Sequence, residues 1–365
     1  MVLNRKALLT ETRRKLHQIP ELSGEEYQTQ EFICGFLAAR KISFRKIHTG
    51  VVADFAGENN ITIALRADTD GLPMVEKAAV PYKSKNGYMH ACGHDGHTAM
   101  LLTVCDILAK EKPFFNVRAI FQFGEEGAGG AEVMIRHGAL DGVNAIYALH
   151  TDPGTEEGQF ALMSGAMMAG AVEFNITFTG KESHCAEPEK GTDALKPLAE
   201  FLNKVAKESF NEEYKKETLL HIGKVLGGTA RNIVAGSAEA YCTLRYFDDR
   251  VREAVMARIS NYLEETNERF KTAHTLVVNA VYPPLVNTED AVQRVKAAIE
   301  KVNTAKVKFT AEDFAFYTQK VSGCLTWLGI RSKEFKAPLH SDTFGFREDA
   351  LLYGVELFLR LVEKG

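Results

Sequence analysis

An eight-residue segment concentrates the side chains of greatest chemical interest. Residues 90–97 read His-Ala-Cys-Gly-His-Asp-Gly-His, so three imidazoles, one thiol and one carboxylate lie close together along the chain. Cys92 and His94 are two residues apart and would project to the same side of an extended segment, while Gly93 lets the backbone approach an ion. Thiolate and imidazole are donors that zinc and similar transition metals prefer. The segment therefore predicts a metal site; the alternative interpretation is a histidine-rich surface loop.

Two adjacent carboxylates form the second group. Glu125 and Glu126 stand in the glycine-rich run 124–130, directly after the apolar stretch 117–123 that predicts a strand. Because neighbouring residues point in different directions, one carboxylate can bind a metal ion while the other takes a proton from an attacking water. The pair therefore favours metal-assisted hydrolysis. The alternative is a glycine-rich turn with two solvated glutamates.

Two more histidines extend the donor set. His150 ends the predicted strand 145–150, and His340 lies near the C-terminus. Alone, each is better interpreted as a structural histidine. Together with Cys92, His94 and a glutamate they give five donors, which exceeds the need of one tetrahedral ion with an open position. Five donors suit two ions that share a bridge, so the set predicts a binuclear site.

Other chemistries have weaker support. The run 124–130 lacks the Gly-Lys-Ser/Thr ending of a phosphate-binding loop and carries two acids, which disfavours a nucleotide site. Ser183 and Ser341 lie in no Gly-x-Ser-x-Gly elbow. Cys92 as a nucleophile is the sharper rival, although it would need one base and one orienting group rather than four further donors. A non-catalytic metal-binding protein would keep the donors but would not need Glu125.

The elements that must position these residues follow an alternating pattern in the first part of the chain. Helices are predicted over 4–19, 24–39 and 96–110, and strands over 51–55, 61–66, 117–123 and 145–150. Such alternation indicates an α/β layered domain. Ligands bind beyond the carboxyl ends of strands in open α/β sheets, which is where the glutamate pair and His150 fall.

From about residue 170 the pattern changes. Strands are predicted over 172–178 and 238–245, helices over 193–207 and 251–270, and then a strand over 325–330 and a closing helix over 350–362. The middle part is typical of a β-α-β-β-α-β module. We therefore predict an α/β catalytic domain over residues 1–167 and 281–365, interrupted by an inserted α+β, ferredoxin-like domain over residues 168–280.

The composition sets the class of protein. The chain has 365 residues, of which 45% are hydrophobic and 25% charged, which excludes a disordered chain and a membrane bundle. With 44 basic and 48 acidic residues, charge favours neither nucleic acid nor an anionic membrane as a partner. Six cysteines without a Cys-x-x-Cys pair predict a reducing, cytoplasmic location. A transit peptide is the alternative interpretation of the basic, amphipathic first 21 residues.

Several motifs occur along the chain in one order. They are Arg-Arg-Lys-Leu-His at 13–17 with Pro-Glu-Leu-Ser at 20–23, Leu-Arg-Ala-Asp-Thr-Asp-Gly-Leu-Pro at 65–73, the segment 90–97, the run 124–131, Tyr-Ala-Leu-His at 147–150 and Leu-His-Ser at 339–341. In this order they resemble the M20 metallopeptidase family, in the aminoacylase and amidohydrolase branch that includes hippurate and auxin-conjugate hydrolases. The resemblance covers essentially the whole chain.

The resemblance implies a two-metal site in a catalytic domain like that of the zinc exopeptidases. Cys92 would bridge the ions and Glu125 would be the general base and acid. The remaining metal ligands would be His94, Glu126, His150 and His340. The two divalent ions would be zinc or manganese, with cobalt or nickel as alternatives. The inserted domain would be a lid that also mediates dimerisation.

Within the lid, the resemblance implies roles for three residues. His184 would donate to the developing oxyanion, and Asn232, beside Arg231, would hold polar groups of the substrate. The family commonly has two glycines or Arg-Gly before this histidine, where Lys181, Glu182 and Ser183 precede His184 here. The predicted activity is metal-dependent hydrolysis of the amide bond of N-acyl amino acids or small peptide-like conjugates, and the alternative is a dipeptidase or metallocarboxypeptidase. We expect a small-molecule substrate, no nucleic-acid or membrane partner, and a homodimer through the lid.

Overall fold

The structure is a computed structural model that describes residues 2–363. Its α-helices are α1 (Lys6–His17), α2 (Tyr27–Ala38), α3 (His94–Leu108), α4 (Gly130–Arg136), α5 (Leu195–Ala206), α6 (Asp249–Phe270), α7 (Glu289–Ala298), α8 (Ala315–Thr318) and α9 (Ala350–Val362). Its strands are β1 (Phe44–Ile47), β2 (Gly50–Phe55), β3 (Thr62–Asp68), β4 (Asn116–Gln122), β5 (Ala145–Glu156), β6 (Phe160–Leu162), β7 (Gly165–Met168), β8 (Gly170–Thr179), β9 (Ser183–His184), β10 (Thr218–Gly227), β11 (Ile233–Val234), β12 (Ser237–Tyr246), β13 (Ala273–Tyr282), β14 (Leu285–Asn287), β15 (Val302–Thr304) and β16 (Ser322–Arg331). Within residues 2–363, no helix has both the length and the apolar character needed to cross a membrane.

The chain forms two compact units. Of the described residues, unit 1 comprises those up to 167, those of 286–306 and those from 313 onward, and unit 2 comprises 168–285 and 307–312. The sequence predicts all of 281–365 in the first domain. The contacts differ because β13 continues to Tyr282, which pairs with Ala171, and because Lys308 accepts a backbone hydrogen bond from Ala169. Residues 281–285 and 307–312 therefore lie with unit 2.

Unit 1 is built on an eight-stranded sheet in the order β1-β2-β4-β3-β5-β16-β6-β15. Strands β4, β3, β5 and β16 are parallel neighbours, so their carboxyl ends meet at one edge of the sheet. Every residue of α3 is buried, as expected for a largely apolar helix enclosed by other elements. The predicted α/β class is confirmed. Asp68 ends β3, whereas His150 lies within β5, because this strand continues to Glu156 and does not end at 150 as predicted.

Unit 2 is a four-stranded antiparallel sheet in the order β10-β12-β8-β13, with α5 and α6 between its strands in the chain. This is the predicted β-α-β-β-α-β succession. Its core joins Phe174 and Phe178 of β8 to Phe201 of α5 and Leu263 of α6, all fully buried. Helix α6 begins after Asp248, whose carboxylate accepts a hydrogen bond from the backbone of Arg250.

Candidate functional site

The turn before α3 positions the first two donors. Gly93 has a φ of +89°, a conformation that L residues other than glycine rarely adopt, and a Cβ there would collide with Thr151 Oγ1. His94 is the first residue of α3. The expectation that residues 92–94 are extended is therefore wrong, because the chain turns at Gly93 and enters the helix at once. The left-handed turn still brings the donors of Cys92 and His94 together.

Cys92, His94 and His150 form a buried donor group. Their candidate ligand atoms all lie within 4.8 Å of one another. The Sγ of Cys92 is 3.4 Å from Nε2 of His150. The exposed fractions of the three residues are 7%, 0% and 5%. The turn before α3, α3 itself and β5 of unit 1 thus bring these three donors close together.

Cys92 also belongs to a second donor group, with Glu126 and His340. The candidate ligand atoms of these three again lie within 4.8 Å of one another, and Oε1 of Glu126 is 3.2 Å from Nε2 of His340. The backbone N–H of Glu126 donates to Oδ2 of Asp70 at 2.8 Å, which anchors the loop after β4. His340 has a φ of +62°, and its N–H donates to the carbonyl of Ala91 at 2.9 Å. A strained backbone conformation of this kind is common at functional positions.

The donor groups fit cations. Within residues 2–363, His94 Nε2 and Glu126 Oε1 are buried atoms that make no well-formed hydrogen bond, as expected of atoms that face an ion. Glu125 and Glu126 also lie with His94 in a third group of donors within 4.8 Å of one another. Because Cys92 is common to two groups, the arrangement suits two ions that share a thiolate. Thiolate, imidazole and carboxylate are a donor set suited to zinc-like metals.

The electrostatics of the site favour positive charge where the donors meet. The neighbouring Cys92 and Glu126 raise the pKa of His340 to about 10. Burial opposes the protonated form of His94, but Asp68, Cys92 and Asp70 outweigh burial and raise its pKa. The carboxylates of Asp68 and Asp70 beside His94 meet the electrostatic requirement of a divalent cation.

In His94 and His150, the ring nitrogen Nδ1 faces a hydrogen-bond acceptor. The Nδ1 of His94 lies 3.0 Å from the carbonyl oxygen of Asp70 and 3.2 Å from its Oδ1. The Nδ1 of His150 donates to the carbonyl oxygen of Thr151 at 2.9 Å. Because these acceptors hold the proton on Nδ1, Nε2 is the nitrogen of each ring that is left to bind a metal when the ring is neutral. Burial lowers the pKa of His150 and keeps that ring neutral.

The other polar residues of segment 90–97 support the donors. Burial lowers the pKa of His90 to about 4, and its Nδ1 lies 3.1 Å from the carbonyl oxygen of Asp70. Oδ2 of Asp95 accepts from Arg13 Nε at 2.7 Å and lies 2.8 Å from His17 Nδ1. Because Arg13 and His17 are one helical turn apart on α1, the motif at 13–17 fastens α1 to the first turn of α3.

Two acids with direct contacts to the donors had no role in the sequence analysis. Asp68 and Asp70 end β3 and follow it, and both are fully buried beside His94. The signal that could have found them is the pair of acids in the motif at 65–73, directly after an apolar strand. Thr151 was also missed, because only its position after His150 connects it with the site.

His184, Arg231 and Asn232 lie in unit 2. All three residues are exposed. Strand β9 pairs with β11, so that His184 faces Ile233, and the N–H of Cys185 donates to the carbonyl of Asn232 at 2.9 Å. Unit 2 thus holds the three predicted lid residues together on two adjoining segments.

Comparisons with known proteins agree on one family. The sequence profile of peptidase family M20/M25/M40 matches residues 64–364. The chain is 36% identical over 330 residues to N-acetyl-L-cysteine deacetylase of Bacillus subtilis (strain 168), covering 87% of this chain and 79% of that protein. It is 31% identical over 362 residues to N-acetyldiaminopimelate deacetylase of Ligilactobacillus salivarius, covering 95% and 94%. The solved structure of the Bacillus subtilis YXEP protein, a dinuclear metal-binding peptidase from the M20 family, matches with a TM-score of 0.86 and 29% identity over 98% of this chain and 97% of that chain.

Proposed function

The chain belongs to peptidase family M20/M25/M40, and from this premise we propose that it is an amidohydrolase that cleaves the amide bond of N-acyl amino acids. The reaction is metal-dependent hydrolysis of a C–N bond, in the aminoacylase and amidohydrolase branch. Two named relatives act on N-acetyl amino acids, which supports an N-acetyl amino acid as the first substrate class to test.

One observation carries this proposal. Cys92 is shared by the buried group with His94 and His150 and by the group with Glu126 and His340, and Glu125 stands beside both. A protein that only stores metal needs the five donors but not the adjacent Glu125. A cysteine nucleophile needs a lowered thiol pKa, whereas burial raises the pKa of the Cys92 thiol when no metal is bound. The arrangement therefore supports hydrolysis by water.

Metal binding and proton transfer are assigned to different residues of the site. When bound, two divalent ions supply Lewis acidity and lower the pKa of water at the site to about 7. Cys92, His94, Glu126, His150 and His340 would hold those ions, with zinc or manganese as the proposed metals and cobalt or nickel as alternatives. Glu125 takes the proton of the attacking water and delivers it to the leaving amine, which lets one carboxylate act as base and then as acid.

For the lid residues, the family resemblance supports the roles proposed. His184 donates to the oxyanion of the tetrahedral intermediate, and Arg231 and Asn232 bind polar groups of the substrate. Replacing His184 with alanine should lower turnover and leave the metal content unchanged. Loss of metal from that variant would place His184 among the ligands and refute its proposed role.

The experiment that tests the function combines metal content with amine release. The purified protein is stripped with chelator, reloaded with zinc or manganese, and assayed with N-acetyl amino acids, N-benzoyl amino acids and dipeptides. We expect two ions per chain and activity on N-acyl amino acids that returns with the metal. Release of amine only from dipeptides would favour the dipeptidase alternative, and full activity without metal would refute the proposal.

The roles of the two adjacent glutamates are separated by matched variants. Glu125→Gln should keep both metal ions and lower turnover by about 10²–10⁴, the usual contribution of general acid–base catalysis. Glu126→Gln should instead weaken metal binding. Glu132→Gln, an exposed change on α4 of unit 1, is the control that should alter neither. Undiminished turnover in Glu125→Gln would show that another group moves the proton.

The proposed homodimer forms through unit 2. Strands β10 and β13 are the two edges of its sheet, and each exposes apolar side chains. These are Leu219, Val225 and Leu226 on β10, and Val277, Val278 and Val281 on β13. Exposed apolar edge strands pair readily with another chain. Sedimentation at micromolar concentration should therefore show a dimer, and Val278→Lys should shift it to monomer; a monomeric unsubstituted protein contradicts the proposal.

A further inference from the structure

His97 offers two opposite interpretations. Its candidate ligand atom lies within 4.8 Å of those of Asp68 and His94, so these three residues are themselves a group that could hold a cation. His97 also lies one helical turn after His94 on α3 and is 1% exposed. Either His97 is a further metal ligand, or it holds the ligands in place. Its hydrogen bonds decide between the two.

Both ring nitrogens of His97 are already engaged. Nδ1 lies 2.6 Å from Oδ1 of Asp68, whose other oxygen is 2.6 Å from Arg66 Nη1. A carboxylate paired with a guanidinium accepts, so Nδ1 of His97 is the donor. Nε2 receives the backbone N–H of Thr151 at 3.0 Å. The ring is therefore neutral, with its one proton on Nδ1 and its one lone pair bound by a backbone donor. No lone pair remains for a metal ion.

Thr151, the hydrogen-bond partner of His97, is in contact with two proposed ligands. The carbonyl oxygen of Thr151 accepts the Nδ1 proton of His150 at 2.9 Å, and its Oγ1 donates to the carbonyl oxygen of Cys92 at 3.0 Å. Thr151 also fills the space beside Gly93. Each polar group of Thr151 thus has a hydrogen-bond partner, and the partner of its N–H is His97. The position of Thr151 therefore sets the orientation of the His150 ring and the position of the turn that carries Cys92.

We propose that His97 is a positioning residue, not a ligand: through the backbone of Thr151 it orients His150 and Cys92 toward the metal ions. The inference rests on the proposed two-metal site. Residues behind the ligands that fix their orientation typically contribute a factor of about 10–100 to metal affinity or activity. For His97, this contribution acts through Nε2 and Thr151 rather than through Nδ1 and Asp68.

Two amide substitutions separate the two ring nitrogens. A glutamine side chain places its amide near the position of Nε2, so His97→Gln can still accept the N–H of Thr151. An asparagine side chain places its amide near Nδ1, so His97→Asn can still donate to Asp68 but does not reach Thr151. Thr103→Val is the matched control, because Thr103 is fully buried on the same helix and its hydroxyl donates only within α3, to Ala99.

The test is titration of the stripped, full-length protein with cobalt(II), followed by visible absorption and by the thiolate-to-cobalt band of Cys92. We expect two ions per chain in every variant. In His97→Asn, the dissociation constant for cobalt should rise about 10–100-fold and the band should shift. In His97→Gln and Thr103→Val, both quantities should stay near those of the unsubstituted protein.

Three results would overturn the inference about His97. Loss of one ion per chain at saturating cobalt in both His97 variants would make it a ligand. Unchanged binding in His97→Asn, or weakened binding in His97→Gln alone, would show that Thr151 is not its route of action. Fewer than two ions in the unsubstituted protein would instead count against the proposed two-metal site, and this outcome is distinguishable because it needs no variant.

Discussion

The turn at Gly93 permits a prediction whose magnitude follows from the structure. Gly93→Ala places a methyl group on a backbone with φ of +89°, and the Cβ then collides with Thr151 Oγ1. The left-handed conformation costs about 1–2 kcal/mol for an L residue. Forcing an additional methyl into a packed site costs about 1–3 kcal/mol more. We therefore expect Gly93→Ala to lower the free energy of unfolding of unit 1 by about 2–5 kcal/mol.

A second glycine separates the two contributions. Gly87 has the same φ of +89°, but nothing lies within 4 Å of the position of its Cβ. Gly87→Ala should therefore show only the backbone cost of about 1–2 kcal/mol. Because Gly→Ala also restricts the unfolded chain equally in both variants, that effect cancels in the comparison. The difference between the two variants isolates the collision at Thr151.

The measurement is urea unfolding followed by tryptophan fluorescence, with the metal concentration kept constant because bound metal adds stability. The chain has one tryptophan, Trp327, which is buried in β16 with its ring 5.2 Å from that of His150, so its signal reports on unit 1 near the site. Thr151→Ala removes the obstructing oxygen, and the double variant with Gly93→Ala should be less destabilised than the sum of the single variants by about 1–3 kcal/mol. Additive effects, or equal losses in Gly87→Ala and Gly93→Ala, would refute the reasoning.

Two further predictions concern stability. Burial opposes protonation of His17, but hydrogen bonds and charge from Asp95 and Glu76 outweigh it and raise its pKa; its contribution to stability is then complete below its unfolded-state pKa of about 6.5 and is lost as pH rises through the raised value. The difference in unfolding free energy between the unsubstituted protein and His17→Gln should therefore be larger at about pH 6 than at about pH 9, and a difference that grows with pH would contradict this assignment. In unit 2, Asp248→Ala removes the cap of α6 and should cost about 1 kcal/mol in urea unfolding, while Asp248→Asn, which also caps, should cost much less.

The sequence was sufficient to predict most of the fold that carries the site. Parallel strands in the first domain are short apolar runs that end in polar residues, and such runs are visible without any contact information. The closing helix was predicted over 350–362, and α9 has those bounds. Strands β10 and β13 had no individual prediction. They are edge strands with many exposed residues, so their side chains do not alternate strictly between apolar and polar.

The candidate donors stand out in the sequence as residue types, because cysteine, histidine and glutamate gathered near strand ends are typical of a metal site. The supporting contacts were not predictable. The division of segment 90–97 into donors and supports depends on partners far away in the chain: Thr151 for His97, and Arg13 and His17 for Asp95. No periodicity within the segment distinguishes His94 from His97. Only the folded structure shows which nitrogen already has a partner.

The order of the sheet also has a consequence for the time at which the site is completed during synthesis. His150 lies on β5, between β3 and β16; its own pairing partner is Trp327 of β16, and His340 follows later still. At about 5–20 residues per second, the ribosome adds His340 about 10–40 s after His150. Through most of that interval the nascent chain contains Cys92, His94 and His150 but lacks His340 and β16. The complete set of candidate donors therefore exists only once residue 340 has been synthesised, and under the proposed function the site cannot bind its metal ions fully before then.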